Sequence, residues 1–189
     1  MKIPIIFCII LFAALILNGC ASFAPSPSFT YVEGTVSTVN NGQPQHKLEF
    51  FIDQPDPLSI RDKQISNLIA RKLIEIGFIK AFSQMEANVL VKFNYSVGQG
   101  TTEVSSQPDF FWGHETHTDT SYPRNFQLAI IDLEKSHLPD HMEIIWQGEI
   151  SSEGPSSNIM KLAQPFIDVL FENYGKTVNS QKFKKLFSY

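Results

Sequence analysis

The stretch "ANVLVKFNYSV" at 87–97 does most to limit what this chain can fold into. Val89, Val91, Phe93, Tyr95 and Val97 fall at every second position, with Asn88, Leu90, Lys92, Asn94 and Ser96 between them. A period of two places the first set on one face of a β-strand and the second on the other. A face that apolar must be covered, so the fold needs a second layer packed on this strand and its neighbours.

Two segments carry the spacing of such a layer. Within 58–76, Ile65, Leu68, Ile69, Leu73 and Ile76 recur at helical intervals, Pro57 suits a first-turn position and Gly77 is a candidate C-cap. Within 157–173 the inward set is Ile159, Leu162, Phe166, Val169 and Leu170, with Pro165 expected to kink the helix or mark a new start. Further strands are expected at 29–39, 46–52, 125–134 and 142–151, the last with Trp146 facing the core. "NNGQP" at 40–44 reads as a hairpin-like break between the first two. A short basic helix is expected over 178–187, with Lys182, Lys184 and Lys185 on its solvated face. The order β-β-α-β-β-β-α predicts an α+β fold: a two-layer α/β sandwich, a mostly antiparallel sheet with two helices packed on one face.

Residues 98–124 are rich in Gly, Ser and Thr around the aromatic knot Phe110-Phe111-Trp112, and they read as a long loop. Alternation assigns Phe51, Leu90, Ala129, Ile131, Leu133 and Ile145 to the sheet face away from the helices. A wet face should be more polar than that. The loop is therefore expected to fold back over it through Phe110, Phe111 and Trp112, the other expectation being a partner protein.

The N-terminus speaks to location. Lys2 precedes an uncharged apolar run, Ile3 to Ile16. At about 14 residues it falls short of the roughly 20 that span a bilayer and reads as the core of a secretory leader. Of the two cysteines, Cys8 lies inside that leader and Cys20 at its end. Leu17-Asn18-Gly19-Cys20 resembles the bacterial lipoprotein signal, which ends in Gly-Cys or Ala-Cys. The resemblance implies that residues 1–19 are removed, that the Cys20 thiol carries a diacylglycerol, and that the new amine is acylated by a palmitate-type chain. Each buried CH₂ is worth about 0.8 kcal/mol, so two or three chains hold firmly where one holds marginally. Ala21, standing where Asp would retain such a protein at the inner membrane, favours the outer membrane. Pro25 and Pro27 then punctuate small residues, making 20–28 a lipidated cysteine and flexible tether, and 29–189 a single domain.

The formal charge is -4, and loss of Lys2 with the leader makes it one unit more negative. Without clustered Lys and Arg there is no electrostatic footprint for nucleic acid. Candidate chemistry is thin. His114 and His117 flank Glu115-Thr116, but the zinc-peptidase pattern needs i and i+4 on a helix. His137 and His141 have that spacing with Pro139 between them. No Gly-x-Ser-x-Gly elbow occurs, and "GQG" at 98–100 lacks the Gly-Lys-Ser ending of a phosphate loop. The sequence offers no catalytic, cofactor-binding or metal-ligating residue, and Cys20 is its one site residue.

"LIARKLIEIGF", "EANVLVKFNY", "FQLAIIDLE" and "EIIWQGEIS" together resemble the domain of unknown function 4136, a family of Gram-negative envelope lipoproteins, over about residues 46–173. Asn88 stands where that family commonly has Asp. The resemblance implies a fold and a compartment and brings no catalytic residues with it. The expected protein is a lipid-anchored lipoprotein of the cell envelope, facing the periplasm as a binding or structural module. Its partners are the bilayer, through acylated Cys20, and an envelope protein or copies of itself. The rivals are a subunit of an envelope assembly that uses the apolar sheet face, and an enzyme with 98–124 as its lid.

Overall fold

In the computed structural model of the chain, which describes residues 29–42, 48–53, 59–109, 113–133 and 143–188, the apolar half of each alternation meets a helix. The strands are β1 (Phe29–Asn40), β2 (Glu49–Ile52), β3 (Ile79–Lys80), β4 (Val89–Val97), β5 (Thr101–Asp109), β6 (Gly113–Asp132), β7 (Glu143–Gly154) and β8 (Val178–Ser188). The helices are α1 (Ile60–Glu75) and α2 (Met160–Glu172). Tyr31–Phe187 forms one compact unit. The sheet runs β3-β2-β4-β6-β7-β1-β8, with β5 paired to β6 off that path. It is mixed: β2 lies parallel to both β3 and β4, while β1–β7, β4–β6, β5–β6 and β6–β7 are antiparallel. The chain is thus α+β with a mixed sheet.

Cross-strand register explains the core. Val91, Ile130, Trp146 and Asn40 form one row across β4, β6, β7 and β1; Phe93, Leu128, Gly148 and Thr38 form the next; Tyr95, Phe126, Ile150 and Val36 the third. These rows pack with Ile65, Ile69 and Leu73 of α1 and with Leu162, Phe166, Val169 and Leu170 of α2 in one cluster. Phe126 meets Phe166 at 6.4 Å between ring centroids and Trp146 meets Phe171 at 6.2 Å. Lys72 of α1 reaches Asp168 of α2 at 2.9 Å, tying the helices together above the core.

Helix α1 is bounded by local chemistry. Ser59 caps it: its hydroxyl accepts from Asp62 N–H at 3.0 Å and donates to Asp62 Oδ2 at 2.5 Å, while Ser59 N–H reaches the same carboxylate at 3.3 Å. This reciprocal box satisfies N–H groups that a helix start leaves unpaired, and it sets the start just past the expected 58. At the other end Gly77 has φ +103, Phe78 N–H reaches Leu73 O at 3.0 Å and Gly77 N–H reaches Ile74 O at 3.0 Å, a Schellman stop that only glycine adopts without strain. Helix α2 begins at Met160 rather than at Pro165, which lies within it. Asn158 Oδ1 accepts from Met160 N–H at 3.0 Å and supplies the start.

Asp62 also accepts from the Tyr95 hydroxyl at 2.8 Å, so the cap docks α1 on β4. The Ser59 hydroxyl holds the Asp62 carboxyl below its ordinary value, burial opposes this, and Tyr95 adds to the lowering. As pH falls the unfolded chain therefore takes up this proton first. The contribution of Asp62 to stability is complete above the unfolded pKa of about 4 and disappears as pH drops through the lower folded value. Asp62→Asn is expected to flatten the acid limb of urea-unfolding midpoints measured from pH 6 to pH 2.5; an unchanged limb would show that the carboxylate is not the titrating group.

Four expectations need correction. Segment 98–124 is no long loop: β5 and the first half of β6 form a hairpin over most of it. Its Thr and Ser residues support strand pairing, yet with both faces wet they carry no apolar alternation. Residues 110–112, and with them the expected fold-back of Phe110, Phe111 and Trp112, lie outside the described residues. Strands β1 and β2 are not a hairpin, since β4, β6 and β7 lie between them; α1 returns the chain so that β2 and β4 run parallel. Residues 178–187 belong to a strand, because β8 pairs the edge of β1 that a helix would leave open. Finally, Ile145 joins the core cluster, at a register shift beside Ile130 and Ile131.

Candidate functional site

The opposite sheet face divides along its length. At one end Leu90 and Ile131 stand opposite each other and are buried, with Phe51, Ala129 and Leu133 half-buried. The apolar face expected there is therefore confined to that end and largely covered. Beyond that end the face is polar except at Ala129 and Val39. Lys92, Ala129, Gln147 and Val39 form one row across β4, β6, β7 and β1; Asn94, Gln127, Glu149 and Ser37 form the second; Ser96, Asn125, Ser151 and Thr35 form the third. Rows lie roughly 6.7 Å apart along the strands, and neighbouring strands about 4.8 Å apart.

Two adjoining grooves run over this grid. One of about 930 Å³ is lined by Thr35, Ser96, Asn125, Ser151 and Glu153 with Lys182, Phe183 and Lys184 of β8. The other, about 560 Å³, lies over Lys92, Asn94, Gln127, Gln147 and Glu149. Volumes of this order suit a small-molecule or oligomer segment. Two cations there are paired locally, Lys92 with Asp53 at 3.3 Å and Lys184 with Glu33 at 3.5 Å, and Glu149 accepts from the neutral Asn125 amide. Tyr31, 67% exposed, stands at the rim with Lys184 Nζ 5.6 Å from its ring centre.

Beneath the wider groove the sheet is fastened from the helix side. Arg124 is only 6% exposed; its Nη2 donates to Ser152 Oγ at 3.0 Å and its Nη1 to Ser156 O at 3.3 Å, while Nε has no partner among the described residues. Ser152 Oγ in turn donates to Glu33 O at 2.7 Å, linking β6, β7 and β1. Burial lowers the Arg124 pKa and Glu153 opposes that shift. The guanidinium stays charged regardless.

The residues singled out from sequence do not assemble here. Cys20, His137 and His141 lie outside the described residues. Positions 114 and 117 fall on β6, opposite Pro108 and Ser105, where a spacing of three places the two positions on different faces. Among the described residues no group of three His, Cys, Asp or Glu side chains is placed to hold a metal. Asn88 is structural: its Oδ1 accepts from Glu49 N–H at 3.0 Å and joins β4 to β2. Among the described residues no helix is long and apolar enough to cross a membrane. The most exposed apolar side chains, Phe82 and Met85, sit off the grid between β3 and β4, while Val39 stands exposed in its first row. The grid itself was visible only as the polar halves of four separate alternations.

No family model matches the chain, and no curated protein matches it. Among solved structures it is similar to a PDZ domain protein from Parabacteroides distasonis ATCC 8503, at 13% identity and a TM-score of 0.51 over 93% of this chain and 42% of that one. The chain thus spans about two fifths of that protein's length, and the likeness is one of fold. A weaker likeness is to a PelC dodecamer from Paraburkholderia phytofirmans, at 11% identity and a TM-score of 0.42 over 76% of this chain and 98% of that one.

Proposed function

We propose that this chain is a lipid-anchored binding module of the bacterial cell envelope, of the kind its resemblance to the 4136 lipoprotein domain implies. Cys20 anchors it to a membrane, the outer one by preference, and the tether presents a two-layer α/β sandwich to the periplasm. The polar sheet face away from the helices is its binding surface. The observation that carries the anchoring is Leu17-Asn18-Gly19-Cys20 at the end of a short apolar leader. What supports a binding role is a grooved face whose polar side chains are laid out in three registered rows. An assembly built on the apolar sheet face is less well supported, because Leu90 and Ile131 are already buried within the chain.

Intact mass of protein extracted from membranes tests the anchor. A chain beginning at Cys20 and carrying the mass of two or three acyl chains is expected, with that mass lost in Cys20→Ser. An unmodified Cys20 in the native protein would remove the anchor and the compartment with it.

A further inference from the structure

We propose that the polar grid binds a neutral oligosaccharide. This deepens the reading of that face as a binding surface and rests on it. The lining decides the class of ligand. A lipid chain would need an apolar groove, whereas every position in the grid's second and third rows is filled by an amide, a hydroxyl or a carboxylate: Asn94, Gln127, Glu149 and Ser37, then Ser96, Asn125, Ser151 and Thr35. A polyanion or polycation would need charge of one sign. Here Lys92 is matched by Asp53 and Lys184 by Glu33, and the rest of the wider groove's lining mixes Arg124 and Lys182 with Glu153. No long-range field is left to select a charged polymer.

What remains is unspent hydrogen-bonding capacity. Asn94 and Gln127 stand directly opposite each other, with Gln147 on the neighbouring row, and all three are exposed. Among the described residues their side-chain amides make no hydrogen bond to the rest of the chain. A primary amide offers a donor and an acceptor side by side, the pattern that adjacent sugar hydroxyls or an acetamido group complete. Tyr31 at the groove margin supplies an apolar face for the C–H side of a pyranose ring. The two grooves adjoin, so a chain of several sugar units could follow the grid without leaving it.

The test is a titration of the full chain, purified in detergent, with chitotetraose and cellotetraose, read through the NMR signals of side-chain amides. An acidic and a basic decapeptide serve as comparators. Saturable shifts of Asn94, Gln127 and Gln147 with one of the sugars are expected, at least 10-fold weaker in Asn94→Ala/Gln127→Ala and unchanged in Gln84→Ala, which lies on the β3–β4 connection. Shifts of the grid with a peptide but neither sugar would leave the binding face standing and overturn the ligand class. No shift of the grid with any probe up to millimolar concentration would overturn both, and sugar binding that survives the double substitution would overturn the site.

Discussion

Trp146→Ala is expected to lower the stability of this protein by about 3–5 kcal/mol, the range for deleting a large buried aromatic. Trp146 is 1% exposed and lies at the meeting point of an aromatic cluster, 6.2 Å from Phe171 and 5.3 Å from Tyr174 between ring centres. Its row on the sheet joins Ile130 and Asn40, so the cavity would open between β6, β7, β1 and α2 at once. Trp146→Phe makes the informative contrast. Among the described residues the buried indole Nε1 has no hydrogen-bond partner and neither has the Tyr174 hydroxyl beside it, whose pKa is pushed up to about 12 by burial. A buried donor without a partner costs roughly 1–3 kcal/mol, which phenylalanine does not incur. Loss of volume and relief of that cost oppose each other, so Trp146→Phe is expected to change stability by less than about 1.5 kcal/mol. Urea unfolding followed by far-UV circular dichroism measures both. Equal, large losses for the two variants would show that removing the buried N–H does not offset the lost volume.

Trp146 was legible from alternation alone, and so was most of the core. Phe50 and Ile52, Val89 and Val91, and Ile65, Ile69 and Leu73 are all buried where their spacing places them. In each case the signal is local: one element, one apolar half, one covered face. The features that escaped depend on partners distant in the chain. β8 carries Phe183 and Phe187 four residues apart, a spacing that suits a helix, and only the open edge of β1 makes it a strand. The β5–β6 hairpin has no buried face to declare it; Thr102 and Thr120, whose hydroxyls lie 3.1 Å apart across it, look from sequence like loop residues. The candidate site escaped for the same reason. Asn94 was visible as the polar alternate of β4, but nothing in one sequence says that Gln127, Glu149 and Ser37 fall in line with it, because register is fixed by the fold.

That register makes its sharpest claim at Gly148, which sits between Leu128 and Thr38 on the core side, under α2. A Cβ there would lie 2.6 Å from Leu170 Cδ2 and 2.9 Å from Trp146 Cη2, inside any real contact distance. Gly148→Ala is therefore expected to cost about 1–3 kcal/mol through overpacking. Leu170→Ala alone removes a fully buried side chain, and is expected to cost about 2–5 kcal/mol. Combined, the two changes offset each other: the new methyl occupies part of the space the leucine vacates. The double variant should fall short of the sum of the single losses by at least about 0.5 kcal/mol, since touching residues do not act independently. Urea midpoints for the four proteins of this cycle settle it. Strict additivity would mean that α2 does not press on this row, and with that the arrangement of helix over sheet that leaves the polar face open to a ligand would fail.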